Sequence, residues 1–251
     1  MIFCDSHVHL VHCRPLAADS FFSQNKYRAC TAFVFKDELE SWQPNPAVLS
    51  SFGIHPQVFA SAAPYDALSE LDFLEQLLAS DSIDAVGECG FDLFTPAFKA
   101  TLEEQKKWWN LQLELAVAYK KPVVVHCRKA MEHIFSSKQL LRGLPAVVFH
   151  SFPGTLSEAL SILRKDVHAF FSFGKPLLNG RKASLQCVSS LPLDSLLLET
   201  DAPYQTLKGE SATFPSEIER VYKAASALRK IPLESLCEIL ADNFENAFKQ
   251  S

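Results

Sequence analysis

Eight short apolar runs, separated by stretches with helical spacing, constrain the fold of this chain more than any other feature of its sequence. The runs are rich in β-branched residues, leucine or phenylalanine, and continuous apolar runs of this kind are typical of parallel strands buried on both faces. They span about residues 2–9, 29–35, 47–55, 83–88, 122–126, 146–150, 168–173 and 195–201. Eight parallel strands are the number that closes a barrel. The sequence therefore predicts an α/β fold, namely a TIM-type (β/α)8 barrel.

Helical patterns lie between these runs and after the last one. The clearest ones between the runs cover residues 65–79 and 99–119, and two more close the chain at about 215–229 and 233–249. This alternation of strand and helix predicts βαβ units throughout. Barrels of this type commonly reach 251 residues without dividing, so we expect a single domain over residues 1–251.

Five of the apolar runs carry residues that can bind a metal at or near their C-terminal ends. The first run contains a His-x-His pair whose alternation, in a strand, would turn both imidazoles to one face. All C-terminal strand ends of a barrel meet at one rim, where buried carboxylates need a compensating positive charge. A lone His-x-His pair would also fit an exposed edge, but the whole set predicts a metal centre. The set is His7, His9, Glu88, His126, His150 and Asp201.

Composition excludes several classes of protein. The chain is 48% hydrophobic and 21% charged, and it has no apolar run long enough to span a bilayer, so we expect no membrane partner. Its net charge of −5 gives no broad basic surface for wrapping duplex DNA. The first residues lack the pattern of a secretory signal, because Asp5, His7 and His9 interrupt the apolar run. We therefore expect a cytoplasmic protein.

Seven cysteines are spread singly along the chain, without a Cys-x-x-Cys pair. This pattern is typical of reduced thiols in the cytosol and not of a disulfide framework. Cys89 and Cys127 each follow a proposed metal ligand, so a thiolate ligand or nucleophile is conceivable at either position. Strand alternation turns the neighbour of a ligand away from its face, which favours a structural role for both cysteines.

Six stretches, taken in order, resemble the motifs of the TatD family of metal-dependent deoxyribonucleases, which is part of the wider group of amidohydrolase-like barrels. They are spread over roughly the first four-fifths of the chain, and together they are far more specific than any one motif. They are Asp5-Ser6-His7-Val8-His9, Gly53-Ile54-His55-Pro56, Gly87-Glu88-Cys89-Gly90-Phe91-Asp92, Pro122-Val123-Val124-Val125-His126-Cys127-Arg128, His150-Ser151-Phe152-Pro153-Gly154 and Glu199-Thr200-Asp201-Ala202-Pro203-Tyr204.

The resemblance implies two divalent cations, which the mixed imidazole and carboxylate donors allow to be Zn²⁺, Mn²⁺ or Mg²⁺. It implies that one metal is held by His7, His9 and Asp201, that the second is held by His126 and His150, and that Glu88 bridges the two. It also implies a metal-activated water that cleaves phosphodiester bonds, with Asp201 as the proton acceptor and Glu88 as the second catalytic residue. The implied activity is that of a 3′ to 5′ exonuclease on DNA.

Further residues are expected to support this chemistry. His55 and Arg128 are predicted to bind the substrate phosphate, although His55 would also fit a loop cap and Arg128 a surface ion pair. Asp92 is expected either to support a ligand or to shape a turn, and Asp5 to support a ligand histidine from below. His12 has no partner at ligand spacing and is interpreted as a surface residue.

Two other functions fit the same residues. A two-metal barrel of this kind could instead hydrolyse an amide, ester or lactone, although many such enzymes bridge their metals with a carboxylated lysine, where this chain has Glu88. A non-catalytic scaffold that binds a partner at the rim is a third reading, which the complete set of six ligands disfavours. The segment 205–210 after the last strand is short and nearly neutral, unlike the basic loop of many family members. The sequence does not give the oligomeric state, and a monomer is favoured.

Overall fold

The computed structural model describes residues 1–13 and 26–249, and its core is a sheet of eight parallel strands. The strands pair in sequence order, each with its neighbour along the chain. The predicted TIM-type barrel is thus confirmed. The strands are β1 (Phe3–Val8), β2 (Tyr27–Phe33), β3 (Val48–Phe52), β4 (Ala85–Asp92), β5 (Val123–Arg128), β6 (Val147–Phe149), β7 (Ala169–Phe173) and β8 (Leu196–Leu198).

Helices fill the connections, as the patterns between the runs predict. Within the described residues they are α1 (Lys36–Glu40), α2 (Ala67–Ala79), α3 (Pro96–Ala100), α4 (Leu102–Ala118), α5 (Met131–Ser136), α6 (Lys138–Arg142), α7 (Leu156–Leu163), α8 (Lys182–Ser190), α9 (Ile218–Arg229) and α10 (Leu233–Phe248). Short 3₁₀ turns lie at Pro56–Ala60, Lys175–Leu177, Leu193–Ser195 and Pro215–Glu217. None of the helices in this part of the chain combines the length and apolar character needed to cross a bilayer.

The strands are buried on both faces, which explains their continuous apolar sequences. Residues such as Val123 and Val125 join the large cluster under the surrounding helices. The intervening Val124 belongs to a second cluster, whose other members lie near the starts of the strands together with Phe244 and Phe248 of α10. The C-terminal helix therefore closes the N-terminal end of the barrel, and the opposite rim is left for the polar side chains.

Asp5 joins the first strand to the segment that follows the last one. One carboxylate oxygen accepts the backbone N–H of Thr200 at 2.9 Å and that of His7 at 3.3 Å, and the other oxygen lies 2.5 Å from the Thr200 hydroxyl. Beside it, the N–H of Asp201 donates to the carbonyl of His7 at 3.0 Å. These bonds bring the two ends of the sheet together at the rim. Asp5 thus supports His7, one of the predicted ligand histidines, through its backbone N–H and ties it to Thr200.

Strand β4 continues to Asp92, four residues beyond the end that the sequence predicts. The register with β5 shifts between Val86 and Cys89, so the strand bends and then resumes pairing. Gly87 and Gly90 make this possible with φ angles of +120° and +138°, which side chains rarely allow. A Cβ atom on Gly90 would lie 2.1 Å from the carbonyl oxygen of His126. The bend lies on both sides of Glu88 and fixes its backbone against β5.

Replacing Gly90 with Ala is expected to destabilise the barrel by about 2–5 kcal/mol, because the strained φ angle and the collision with β5 act together. Gly180→Ala is the matched control, since Gly180 also has a positive φ but would place its Cβ in open space. Urea unfolding at equilibrium measures both variants. Equal losses for the two would contradict the close approach between β4 and β5.

Candidate metal centre

Glu88 lies at the centre of the rim, and its two carboxylate oxygens face two different groups of histidines. One oxygen, Oε2, lies 3.2 Å from Nε2 of His7 and 3.5 Å from Nε2 of His9. The other, Oε1, lies 2.5 Å from Nδ1 of His126 and 2.8 Å from Nε2 of His150. The Glu88 side chain is only 3% exposed. A carboxylate so placed can bridge two cations that stand on either side of it.

The first group joins β1 to the segment after β8. Nε2 of His7 lies 3.2 Å from Nε2 of His9, and both nitrogens lie within 3.7 Å of Oδ1 of Asp201. Asp201 reaches this position because the backbone bonds described above place it beside β1. Two imidazole nitrogens and a carboxylate oxygen that face one another are a donor set for one divalent cation.

In the second group, buried carboxylates determine which nitrogen of each histidine faces the centre. Nε2 of His126 lies 3.1 Å from Oδ2 of Asp92, which can accept its proton and leave Nδ1, on the side of Glu88, to bind a cation. Nδ1 of His150 lies 3.5 Å from Oε1 of Glu199, which leaves Nε2 for the centre. Both imidazoles are therefore oriented as metal ligands.

His55 is oriented differently, although its Nε2 lies 3.2 Å from both Glu88 and His126. It precedes the 3₁₀ turn that starts at Pro56, and its Nδ1 accepts the backbone N–H of Gln57 at 3.2 Å. A neutral imidazole that accepts at Nδ1 carries its proton on Nε2. His55 therefore presents a hydrogen-bond donor to the site.

Burial and mutual charge act against each other in this cluster. Burial by itself would raise the pKa of Glu88, but the surrounding histidines, led by His150, outweigh it and hold the pKa well below its usual value. Burial would lower the pKa of His150, yet Glu88 and Glu199 raise it well above the usual value. For His55, burial prevails over Glu88 and lowers the pKa. The carboxylate is thus held ionised and attracts positive charge to its surroundings.

These side chains fit a metal centre by the chemistry of their donors. Within the described residues, the groups whose ligand atoms lie within 4.8 Å of one another include His7, His9 and Asp201 on one side of the site, and His7, Glu88 and His150 across it. A third such group is His55, Glu88 and His126. Imidazole and carboxylate ligands suit Zn²⁺, Mn²⁺ and related divalent ions. All six residues that the sequence predicts as ligands converge at this rim.

An open cleft of about 880 Å³ lies above the cluster and gives access to it. Arg128, predicted to bind substrate, lies on its wall with a side chain 43% exposed, and Nη1 is 3.5 Å from Oδ2 of Asp92. His12 also lines the cleft, so it is not an ordinary surface residue. Cys89 and Cys127 are buried, and burial raises the pKa of both thiols, that of Cys127 to about 12. Neither is therefore available as a thiolate near neutral pH.

Comparison with known proteins identifies this arrangement. A family model for TatD-related DNases matches residues 4–249, which is nearly the whole chain. The chain belongs to this family. Among its TatD relatives, the 3′-5′ ssDNA/RNA exonuclease TatD of Musicola paradisiaca is 30% identical over 208 residues, which cover 80% of this chain and 76% of that protein.

Other TatD proteins support the same placement. The 3′-5′ ssDNA/RNA exonuclease TatD of Escherichia fergusonii is 33% identical over 161 residues, and that match covers 63% of this chain and 59% of the relative. The crystal structure of YjjV, a TatD homologue from Escherichia coli, superposes with a TM-score of 0.83 at 25% identity and covers 99% of this chain and 98% of that one. The barrel thus follows the TatD fold over the full sheet.

Three polar residues at the site were given no role by sequence reasoning. The Gln57 amide donates to Oδ2 of Asp92 at 2.7 Å, and Glu199 faces His150 while it accepts the backbone N–H of Ser151 at 2.8 Å. The Gln205 amide donates to Oδ2 of Asp201 at 3.0 Å. Glu199 stands in a quoted TatD motif, which was the available signal for it. Gln57 lies in the 3₁₀ turn Pro56–Ala60 and Gln205 in the segment after β8, and no spacing in the sequence relates them to their partners.

Removal of the Asp92 charge is expected to weaken metal binding at the His126 side of the centre. Asp92→Asn keeps the size of the side chain but no longer fixes the proton on Nε2 of His126, and such supporting carboxylates are worth about 10–100-fold in metal affinity. Competition with a chelator measures the affinity, and Asp81→Asn, at an exposed carboxylate, is the control. An unchanged metal affinity in Asp92→Asn would show that Asp92 does not support metal binding.

Proposed function

We propose that this TatD-family hydrolase is a deoxyribonuclease that removes nucleotides from the 3′ end of DNA at a centre of two divalent metals. The observation that carries the proposal is the placement of Glu88, whose two oxygens face two separate sets of ligand atoms at the floor of an open cleft. A centre of this form suits hydrolysis of a phosphodiester, in which both the attacking and the leaving oxygen need stabilisation.

The family supports the choice of substrate. The relatives from Musicola paradisiaca and Escherichia fergusonii carry the name 3′-5′ ssDNA/RNA exonuclease. A DNA end, unlike a duplex, does not require a broad basic surface, which agrees with the net charge of −5. The open cleft and its cationic Arg128 are suited to one strand end.

In this proposal His7, His9 and Asp201 would hold one metal, His126 and His150 would hold the second, and Glu88 would be a ligand to both. Bound there, the metals would lower the pKa of a water molecule and withdraw charge from the phosphoryl oxygens. Side chains of the protein then bind the phosphate directly. His55 donates its Nε2–H, and Arg128 its guanidinium N–H groups, to the oxygens of the phosphate.

In the same proposal Asp201 accepts the proton of the attacking water. Oδ1 faces His7 and His9, whereas Oδ2 points away from them and accepts the Gln205 amide. Burial would raise the pKa of Asp201, but its contact with His9 and the charges of the nearby histidines lower it. The carboxylate is therefore ionised and held in one orientation, as a proton acceptor must be.

We expect about two divalent metals per chain in protein loaded with Mn²⁺ or Zn²⁺. Glu88→Ala should lower the occupancy of both sites because it removes the shared ligand, whereas His126→Ala should empty mainly one. Elemental analysis after removal of free metal measures the ratio, with Glu103→Ala, at an exposed glutamate, as the control. Loss of one and the same metal in both variants would show that Glu88 is not the bridge.

Asp201→Asn should reduce hydrolysis of single-stranded DNA by about a hundredfold or more, since general-base roles are typically worth 10²- to 10⁴-fold. The variant keeps the size and one ligand oxygen, so metal content should fall much less than activity. Rates compared at matched metal occupancy test this, with Asp72→Asn at the surface as control. Activity within a few-fold of the parent would show that a group other than Asp201 accepts the proton.

Hydrolysis assays can also distinguish phosphodiester cleavage from cleavage of an amide, ester or lactone. The parent protein should hydrolyse DNA strands and leave a panel of amides, esters and lactones intact. Turnover of a member of that panel, with no release of nucleotides from DNA, would assign the same centre to amidohydrolase chemistry instead.

A further inference from the structure

Exposed aromatic side chains are concentrated in the cleft above the metal centre. Among the described residues, the aromatic side chains that are largely exposed are Phe35, Phe94, Tyr204 and Phe214, and the first three line the cleft. Phe94 and Tyr204 are each 49% exposed. An isolated exposed aromatic needs no explanation, but a group of them around one site indicates a surface that binds a partner.

Phe94 is held in place by its surroundings. Its backbone N–H donates to Oδ1 of Asp92 at 2.8 Å, which ties it to the same carboxylate that orients His126. The guanidinium of Arg128 lies 4.2 Å from the centre of the Phe94 ring, and the ammonium of Lys129 lies 4.7 Å from it. The ring and the two cations form a combined aromatic and positive surface at the end of β4.

Tyr204 is fixed as well, by a chain of contacts that sequence reasoning did not reveal. Its hydroxyl lies 3.0 Å from Nδ1 of His12, and Nε2 of His12 lies 2.7 Å from a carboxylate oxygen of Glu38. The Tyr204 ring stands edge-on to His9, with 5.1 Å between ring centres. The backbone N–H of Tyr204 donates to the carbonyl of Asp201 at 2.7 Å. A half-exposed ring is thus anchored beside two residues of the metal centre.

The two rings stand on opposite sides of the rim. Phe94 follows β4 and Tyr204 follows β8, and these strands are four positions apart in a ring of eight. Glu88 and its histidines lie between them at the floor of the cleft. A strand that places its phosphate over the floor therefore has one fixed aromatic side chain on each side.

We propose that Phe94 and Tyr204 bind nucleobases by stacking, one on each side of the phosphate that is cleaved. This inference rests on the proposed function and names how the same site recognises its substrate. Stacking tolerates any base, because every base has a π face, but it requires that the base be unpaired. The cleft therefore takes single-stranded ends. Stacking also supplies binding that the nearly neutral segment 205–210 does not provide through charge.

The test compares strands with and without bases. Fluorescence anisotropy measures the affinity of the metal-loaded protein for a short single-stranded DNA with phosphorothioate linkages, which resist hydrolysis, and for the same strand with abasic sites at its 3′ end. Phe94→Ala and Tyr204→Ala should each weaken binding of the complete strand by about 5- to 150-fold, the range for loss of one stacked base. Phe214→Ala, an exposed aromatic outside the cleft, should bind like the parent.

The abasic strand separates stacking from other effects. The parent should bind it more weakly than either single variant binds the complete strand, because the abasic strand lacks both stacked bases, and the two variants should bind it about as the parent does. Tyr204→Phe keeps the ring and should retain most of the affinity. The same affinity measurements with RNA strands show whether the cleft binds ribose, deoxyribose or both. An affinity that depends on Phe94 and Tyr204 for either kind of strand supports the inference.

Equal binding of complete and abasic strands by the parent would overturn the inference, as would variants that weaken both strands equally. Hydrolysis of DNA without any dependence on Phe94 and Tyr204 would overturn it while leaving the proposed nuclease intact. Conversely, binding that depends on the rings in a protein that hydrolyses no strand would retain the inference and overturn the proposed nuclease activity.

Discussion

The buried charge of Glu88 is the constraint on which the rest of this structure depends. An ionised carboxylate that is 3% exposed is stable only with positive charge close by. Imidazoles from β1, β5 and the end of β6 supply its neighbours, and together with the carboxylates they form groups that could hold a divalent cation. The polar groups gathered at the rim are thus what this buried carboxylate requires.

Two features of the backbone make that placement possible. The glycines on either side of Glu88 let β4 bend against β5, and the bond network of Asp5 draws the segment after β8 to β1. Without the bond network of Asp5, Asp201 would have no fixed position relative to His7 and His9, because Asp201 is almost two hundred residues from them in the chain. Closure of the barrel and assembly of the site therefore depend on the same contacts.

Much of this could be predicted from the sequence. Continuous apolar runs identify parallel strands, and a ligand-type residue near the C-terminal end of a run identifies the rim, so the fold and the convergence of the six ligands followed from local patterns. The C-terminal end of β4 could not be predicted from such patterns, because the two glycines that allow the strand to bend interrupt the apolar run in the same way as the end of a strand. Contacts between loops, such as Gln205 with Asp201 or His12 with Tyr204, depend on which strands become neighbours and leave no periodic signal.

The central claim is that Glu88 lies between two metals. Anomalous diffraction from crystals loaded with Mn²⁺, recorded near the manganese edge, tests it most directly. The account predicts two peaks, one among His7, His9 and Asp201 and the other beside His126 and His150, with the Glu88 carboxylate between them. A single peak, or two peaks that Glu88 does not join, would contradict it.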